Sequence, residues 1–226
     1  MLTRILKDIT PPALWRVALE CLPTGRSVTL RGRTYEFGAE QPAEFYDAMY
    51  ESNAHWNDHY TQSRYYPLWT VILDRIGALS CVRILDIGCG PGQVACLLRD
   101  AGIPVYTGID FSPARVRRAR SICPEYDFQV ADVFETTVFQ TDQYDCVLMM
   151  EFLEHVERDL DAIGRIRSGA AVIATVPNFP SAGHVRHFAD VDEVSMRYST
   201  SLSNLQVTPV AADPHGKMYF ILQGVR

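Results

Sequence analysis

From Val82 onward the chain alternates between two periodicities, and that alternation limits its fold more than any other feature. Short apolar runs such as "CVLMM" and "AVIATV" have no polar face. Such runs fit strands buried on both sides, as in a parallel sheet between two layers of helices. The pattern predicts strands at Arg83–Ile87, Val105–Ile109, Asp127–Val130, Asp145–Met150 and Ala171–Val176. It predicts helices at about Gly92–Ala101, Pro113–Ile122 and Glu154–Ile166. The third strand is followed by an irregular link and the fifth by a long irregular segment. At the end, "NLQVTPV" and "KMYFILQGV" are separated only by the turn residues "AADPHG", which predicts an antiparallel hairpin closing the sheet. Right-handed crossovers then give an α/β, Rossmann-like, doubly wound, mostly parallel sheet of seven strands.

The stretch before it reads differently. "SVTLRGRTYEFG" fits a short hairpin turning at Arg31 and Gly32. The following segment is dense in Tyr, Trp and His, and from Trp69 it takes helical spacing through Ile72, Leu73 and Ile76. Residues 1–77 are expected to form an N-terminal extension and helical cap, and residues 78–226 the main domain.

With 226 residues, 47% of them hydrophobic and 21% charged, the chain has the composition of a globular protein of this size. No apolar run approaches a membrane span. The first residues are broken by Pro11 and Pro12 and carry Asp8 and Glu20, unlike the apolar core of a signal peptide, so a cytoplasmic location is expected. The six cysteines, Cys21, Cys81, Cys89, Cys96, Cys123 and Cys146, form no CxxC pair, which argues against a cysteine zinc site. A net charge of −6 argues against a general nucleic-acid binder, which needs cationic surface to displace counterions.

The first predicted strand runs into the first helix through "GCGPG". Gly88, Gly90 and Gly92 permit close backbone approach, and the helix start behind them offers free N–H groups, a setting for a nucleotide-like ligand. Asp86 lies two residues before the first glycine, where a carboxylate repels a pyrophosphate and suits an amine. The Gly-x-Gly-x-Gly spacing also departs from the dinucleotide fingerprint. Asp110 ends the second strand, where an acid can accept ribose hydroxyls, and Phe111 beside it can cover an adenine face. Asp132 ends the third strand, with Val133 next to it, placed to take an adenine amino hydrogen. Each acid alone fits a cap or loop entry. Three at the ends of consecutive strands, behind a glycine turn, point to one ligand.

The motifs "LDIGCGPG", "GIDFSP", "VADVF" and "YDCVLMMEFLEHV" resemble those of the class I S-adenosylmethionine-dependent methyltransferases. The resemblance runs from about Val82 to the end and includes that family's terminal antiparallel strand pair. It implies that Gly88, Cys89 and Gly90 line the methionine end of the cofactor, that Asp86 sits near its amine, that Asp110 holds the ribose, and that Asp132 and Val133 read the adenine. Gly92, Phe111 and Met149 are counted with this set, and Arg64 is a candidate partner for the cofactor carboxylate.

Acceptor-side residues are expected beyond the fourth and fifth strands. Glu151, Glu154 and His155 would share a face at the start of a helix. The later loop supplies His184, Arg186 and His187. A neutral histidine there, His155, His184 or His187, is the expected base for the acceptor, with Glu151 nearby. The Glu-x-x-Glu-His pattern followed by a later histidine also looks like two metal-using subgroups, the ubiquinone-pathway O-methyltransferases and the small-RNA 2′-O-methyltransferases. That resemblance implies a divalent ion on Glu151, Glu154, His155 and either His184 or His187. Tyr46, Tyr50, Trp56, Tyr60, Tyr65 and Tyr66 either close over the ligands or pack the cap. The arginines of "ARVRRAR" read as a solvated helix face. The expected activity is methyl transfer to an oxygen, or less readily a nitrogen, of a small molecule. The alternatives are an RNA 2′-O-methyltransferase, an NAD-dependent oxidoreductase and a non-catalytic cofactor-binding subunit.

Overall fold

The computed structural model describes residues 27–226 except 31 and 53. The expectations for the N-terminal stretch, Cys21 and Arg31 lie outside the described residues. Strands β1 (Ser27–Leu30) and β2 (Arg33–Glu36) pair antiparallel, Ser27 opposite Glu36. Helix α1 (Ala43–Ser52), two 3₁₀ turns (Ala54–Asn57 and Tyr60–Gln62) and α2 (Tyr66–Ala78) follow.

The main sheet is built from β3 (Arg83–Ile87), β4 (Val105–Asp110), β5 (Asp127–Val130), β6 (Cys146–Met149), β7 (Ala171–Pro177), β8 (Ser203–Ala211) and β9 (Met218–Val225). Its order is β5-β4-β3-β6-β7-β9-β8. The first five strands are parallel, and β9 runs antiparallel to both β7 and β8. Between the strands lie α3 (Gln93–Asp100), α4 (Pro113–Ile122), α5 (Val138–Thr141), α6 (Asp159–Gly164) and α7 (Val191–Tyr198). The order reverses between β3 and β6, and in such sheets ligands bind at the carboxyl ends beside that switch point.

Strand alternation divides the core in two. Ile84, Tyr106, Phe128, Cys146 and Leu148 face one layer with Ile72 and Ile76 of α2. Leu85, Ile87, Ile109, Val147 and Met149 face the other, with Ile163 of α6 and Val194 of α7. Arg75 locks α2 to the terminal hairpin by donating to Gln223 Oε1 at 3.0 Å and Thr208 Oγ1 at 2.7 Å.

Three segments differ from the sequence reading. The link after β5 holds the short α5, and the segment after β7 holds α7. The signal for α7 was its N-cap: Asp190 Oδ1 accepts from Glu193 N at 3.0 Å, and Glu193 Oε2 accepts from the N–H of Ala189, the residue before the cap, at 2.7 Å. The helix expected over 154–166 is instead a 3₁₀ turn (Leu153–His155) followed by the separate α6. Glu151 enters that turn with φ +51°, and its N–H donates to Thr175 Oγ1 on β7 at 2.8 Å. This tertiary bond holds the backbone out of a helix.

Candidate active site

A cavity of about 640 Å³ opens at the carboxyl ends of β3, β4, β5 and β6, under α1 and the 3₁₀ turns. Of the residues expected to meet a cofactor, Arg64, Asp86, Gly88, Cys89, Gly90, Asp110, Phe111, Asp132 and Val133 line it. Gly92 and Met149 do not. Gly92 (φ +87°) starts α3 against α4, where a Cβ would fall 2.9 Å from Ala119 Cα, so it serves helix packing. Met149 follows the sheet alternation into the core, fully buried. The other two glycines also differ from each other. A Cβ at Gly88 would meet Phe152 Cδ2 at 2.9 Å, whereas one at Gly90 would meet open space. Only Gly90 therefore leaves room that a ligand can use.

Asp86 is 1% exposed. Its Oδ2 accepts from Tyr106 Oη at 2.7 Å, while Oδ1 is buried without a hydrogen-bond partner among the described residues. Burial pushes its pKa up to about 7, against the Tyr106 hydrogen bond, and the Asp110 charge adds to the rise. A buried carboxylate oxygen on a cavity wall calls for a cationic donor. Asp110 orders the loop: Oδ2 accepts from Gly90 N at 3.0 Å and Oδ1 from Ser112 N at 2.8 Å. Each oxygen keeps a second acceptor position. Burial raises the Asp110 pKa, opposed by Arg115 and those two N–H groups. Asp132 is exposed and accepts from Phe134 N at 2.7 Å. This donor-seeking set fits the amine and hydroxyls of S-adenosylmethionine.

Of the residues expected on the acceptor side, Glu151, His155 and His184 line the same cavity, while Glu154 is not on its wall. Glu154 is fully buried, and its carboxyl oxygens find no hydrogen-bond partner among the described residues except the carboxyl of Glu151. His155 Nε2 lies 4.0 Å from Glu154 Oε1. One ligand atom from each of Glu154, His155 and His184 falls within 4.8 Å of the others. His155 Nδ1 lies 2.8 Å from Gly183 O and His184 Nδ1 lies 3.3 Å from Phe179 O. A carbonyl only accepts, so both rings carry their proton on Nδ1 and leave Nε2 as a lone pair. Burial lowers His155 to about 3 and His184 to about 4. Glu151 joins from β7's side, its Oε1 accepting from Thr175 Oγ1 at 3.0 Å. Burial lifts Glu151 to about 8, and burial with the Glu151 charge lifts Glu154 well above the carboxylate range. Two buried carboxyls that share a hydrogen bond, beside two imidazole lone pairs whose rings are each anchored through the other nitrogen, form a donor set suited to a divalent cation.

Of the later histidines, His184 enters this group. His187 is exposed and lies off the cavity wall. One residue was not placed here from sequence, and one of the cap aromatics reaches the histidines. Arg115, read as part of a solvated face, lines the cavity with its guanidinium 5.1 Å from the Tyr46 ring and 5.8 Å from that of Trp56. Tyr46 Oη lies 3.1 Å from His155 Nδ1. An α4 turned by its Ser112 cap faces Arg115 inward, which a lone helical wheel does not specify.

Residues 84–168 match the family described as "Methyltransferase domain". The chain is 34% identical over 112 residues to the ubiquinone biosynthesis O-methyltransferase of Xanthomonas oryzae pv. oryzae (strain PXO99A), covering 46% of each protein. It thus spans about half the length of the curated relatives it matches. Among solved structures it resembles magnesium protoporphyrin IX methyltransferase (ChlM) from Synechocystis PCC 6803 with bound SAH. That match has TM-score 0.57 and 17% identity, and covers 71% of this chain and 82% of that one. It also resembles the N-methyltransferase NodS from Bradyrhizobium japonicum WM9, with TM-score 0.56 and 16% identity, covering 72% and 96%. By sequence, residues 84–168 match a methyltransferase domain, and the chain's fold resembles that of solved methyltransferases.

Proposed function

We propose that the protein transfers a methyl group from S-adenosylmethionine to an oxygen of a small-molecule acceptor, and that Glu154, His155 and His184, with Glu151 beside them, hold a divalent cation at the acceptor end. The carrying observation is Glu154, a fully buried carboxyl whose oxygens meet no donor among the described residues except the carboxyl of Glu151, and which faces the Nε2 lone pair of His155. The relatives' name favours oxygen, and NodS, an N-methyltransferase of the same fold, makes nitrogen the runner-up. In this reading the described part of residues 1–77 acts as the cap and 78–226 as the cofactor-binding domain.

S-adenosylmethionine supplies a methyl group on a sulfonium, so the protein's work is alignment and exclusion of water. Asp86 receives the amine, Asp110 the ribose hydroxyls, and Asp132 and Val133 the adenine edge. Glu154, His155 and His184 would hold the cation, which when bound would supply Lewis acidity that eases loss of the acceptor hydroxyl's proton to water. With pKa values near 3 and 4, His155 and His184 are poor bases and sound ligands at neutral pH. The test is transfer of labelled methyl from S-adenosylmethionine to a panel of phenols, catechols, amines and RNA, with and without Mg²⁺ or Mn²⁺. Metal-dependent label on oxygen is expected. Label on nitrogen or RNA alone would sink the acceptor assignment.

Asp86 gives a pH dependence. The free group holds a proton below about 7. A cationic amine needs it ionised, so cofactor affinity should fall as pH drops below 7, by up to about tenfold per pH unit. Calorimetry at pH 6, 7 and 8 checks this, with Asp86→Asn expected to bind weakly and without that slope. An identical slope in the variant would assign the proton elsewhere.

A further inference from the structure

The three residues of the Glu154 cluster come from two segments, and neither is a regular element. Glu154 and His155 lie on a three-residue 3₁₀ turn after β6, and His184 lies in the loop after β7. The spacing between the two therefore depends on cross-links. Two are backbone-based: Val185 N donates to Glu154 O at 2.8 Å, and His155 Nδ1 donates to Gly183 O at 2.8 Å.

The third is Arg186, two residues past His184. One guanidinium nitrogen donates to the carbonyls of Leu153 and Val156, and the other to Glu157 O at 3.0 Å. Those carbonyls belong to the turn that presents Glu154 and His155 and to the two residues that follow it. The same guanidinium stands 3.5 Å from Asp159 Oδ2, a carboxylate that is 1% exposed. Asp159 in turn accepts from Arg197 at 2.6 and 2.8 Å and from Tyr198 Oη at 2.9 Å, which brings α7 into the same frame. A planar fork fixes several acceptors at once, which a lysine's single ammonium does not. The cationic charge of Arg186 also partly offsets the burial of Glu154 and the repulsion from Glu151.

We infer that Arg186 is a positioning residue for the cation site, clamping the turn of Glu154 and His155 to the loop of His184. This rests on the cation reading above. It acts on the ligands' geometry and leaves the cofactor end, set by Asp86 and Asp110, untouched.

The experiment measures Mn²⁺ binding by calorimetry and electron paramagnetic resonance on the full chain, alongside S-adenosylhomocysteine affinity and Tm. The variants are Arg186→Lys, which keeps the charge and loses the fork, and Arg186→Gln, which loses both. Outer-shell partners of metal ligands are typically worth about 10- to 100-fold in affinity, and a drop of that order in Mn²⁺ affinity is expected in both variants. S-adenosylhomocysteine affinity should be unchanged. Unaltered Mn²⁺ affinity in the variants, with a wild type that binds the ion, overturns this inference alone. Cofactor and Mn²⁺ affinity falling together with Tm overturns it as well, because the residue would then support the fold at large. A wild type that takes up no Mn²⁺ overturns the cation reading and this inference with it.

Discussion

Replacing His155 with alanine should cut turnover by about 10²–10³, the usual cost of removing one preorganised electrostatic contributor, while cofactor affinity stays as it was. EDTA on the wild type should have an effect at least as large, reversed by Mg²⁺ or Mn²⁺. The reasoning is geometric. His155 Nδ1 is committed to Gly183 O, so its one free nitrogen faces the Glu154 carboxyl at 4.0 Å. No group of the cofactor set lies in that cluster, so binding and turnover separate. His184→Ala should behave in the same way, and His187→Ala, at an exposed position off the cavity wall, should retain turnover. If EDTA leaves the rate intact while the histidine variants lose it, the imidazoles act as bases. If both treatments leave the rate intact, the acceptor end lies elsewhere.

Asp110→Ala should weaken S-adenosylhomocysteine binding by about tenfold to a hundredfold. A hydrogen bond to a charged group contributes about 1.5–3 kcal/mol, and each 1.4 kcal/mol is tenfold in affinity. The lower end counts the ribose contact alone. The upper end adds loop order, since the same carboxylate fixes Gly90 N and Ser112 N, and Gly90 is the glycine that leaves the cavity open. Asp110→Asn, isosteric but neutral, should fall between. A folded Asp110→Ala with wild-type affinity would remove Asp110 from the cofactor site.

The sheet and the cavity wall at the ends of β3, β4 and β5 were legible in the sequence because both follow local rules. Strand periodicity places Asp86 on β3 and Asp110 at the end of β4, and the strand ends of a parallel sheet converge on one crevice. The same rule, applied one residue further along, would have put Met149 in the core. The acceptor end was legible only as a set of residue types. Glu151, Glu154 and His155 were expected on one helix, but the Thr175 hydroxyl from another strand bends the chain at Glu151. The choice between His184 and His187 turns on backbone carbonyls in a loop, Phe179 O and Gly183 O, and no periodicity encodes those. Arg115 was misread because solvent exposure along α4 depends on the cap lying over it, with Tyr46 and Trp56 against its guanidinium.

The buried carboxyls bear on the folded chain itself. Asp86 titrates near 7 and Glu151 near 8 in the folded state, both raised by burial. In an unfolded chain both would titrate near about 4. Between those limits the folded form binds more protons than the unfolded form, so these groups make stability fall as pH rises from about 4 to about 8. The sign is opposite to that of a carboxylate held in a salt bridge. Without ligands, the contribution of Asp86 and Glu151 to Tm should decline from pH 5 to pH 8 and level off above it, while His155 and His184, lowered by burial, act in the opposite direction below about 6.5. Asp86→Asn should flatten its share, and an unchanged decline in that variant would rule Asp86 out as a source. Ligands that favour the ionised carboxylates act in the opposite direction, adding to stability by mass action. How long a folded copy lasts near neutral pH then depends on how often its site is filled, as well as on how well its two core layers pack.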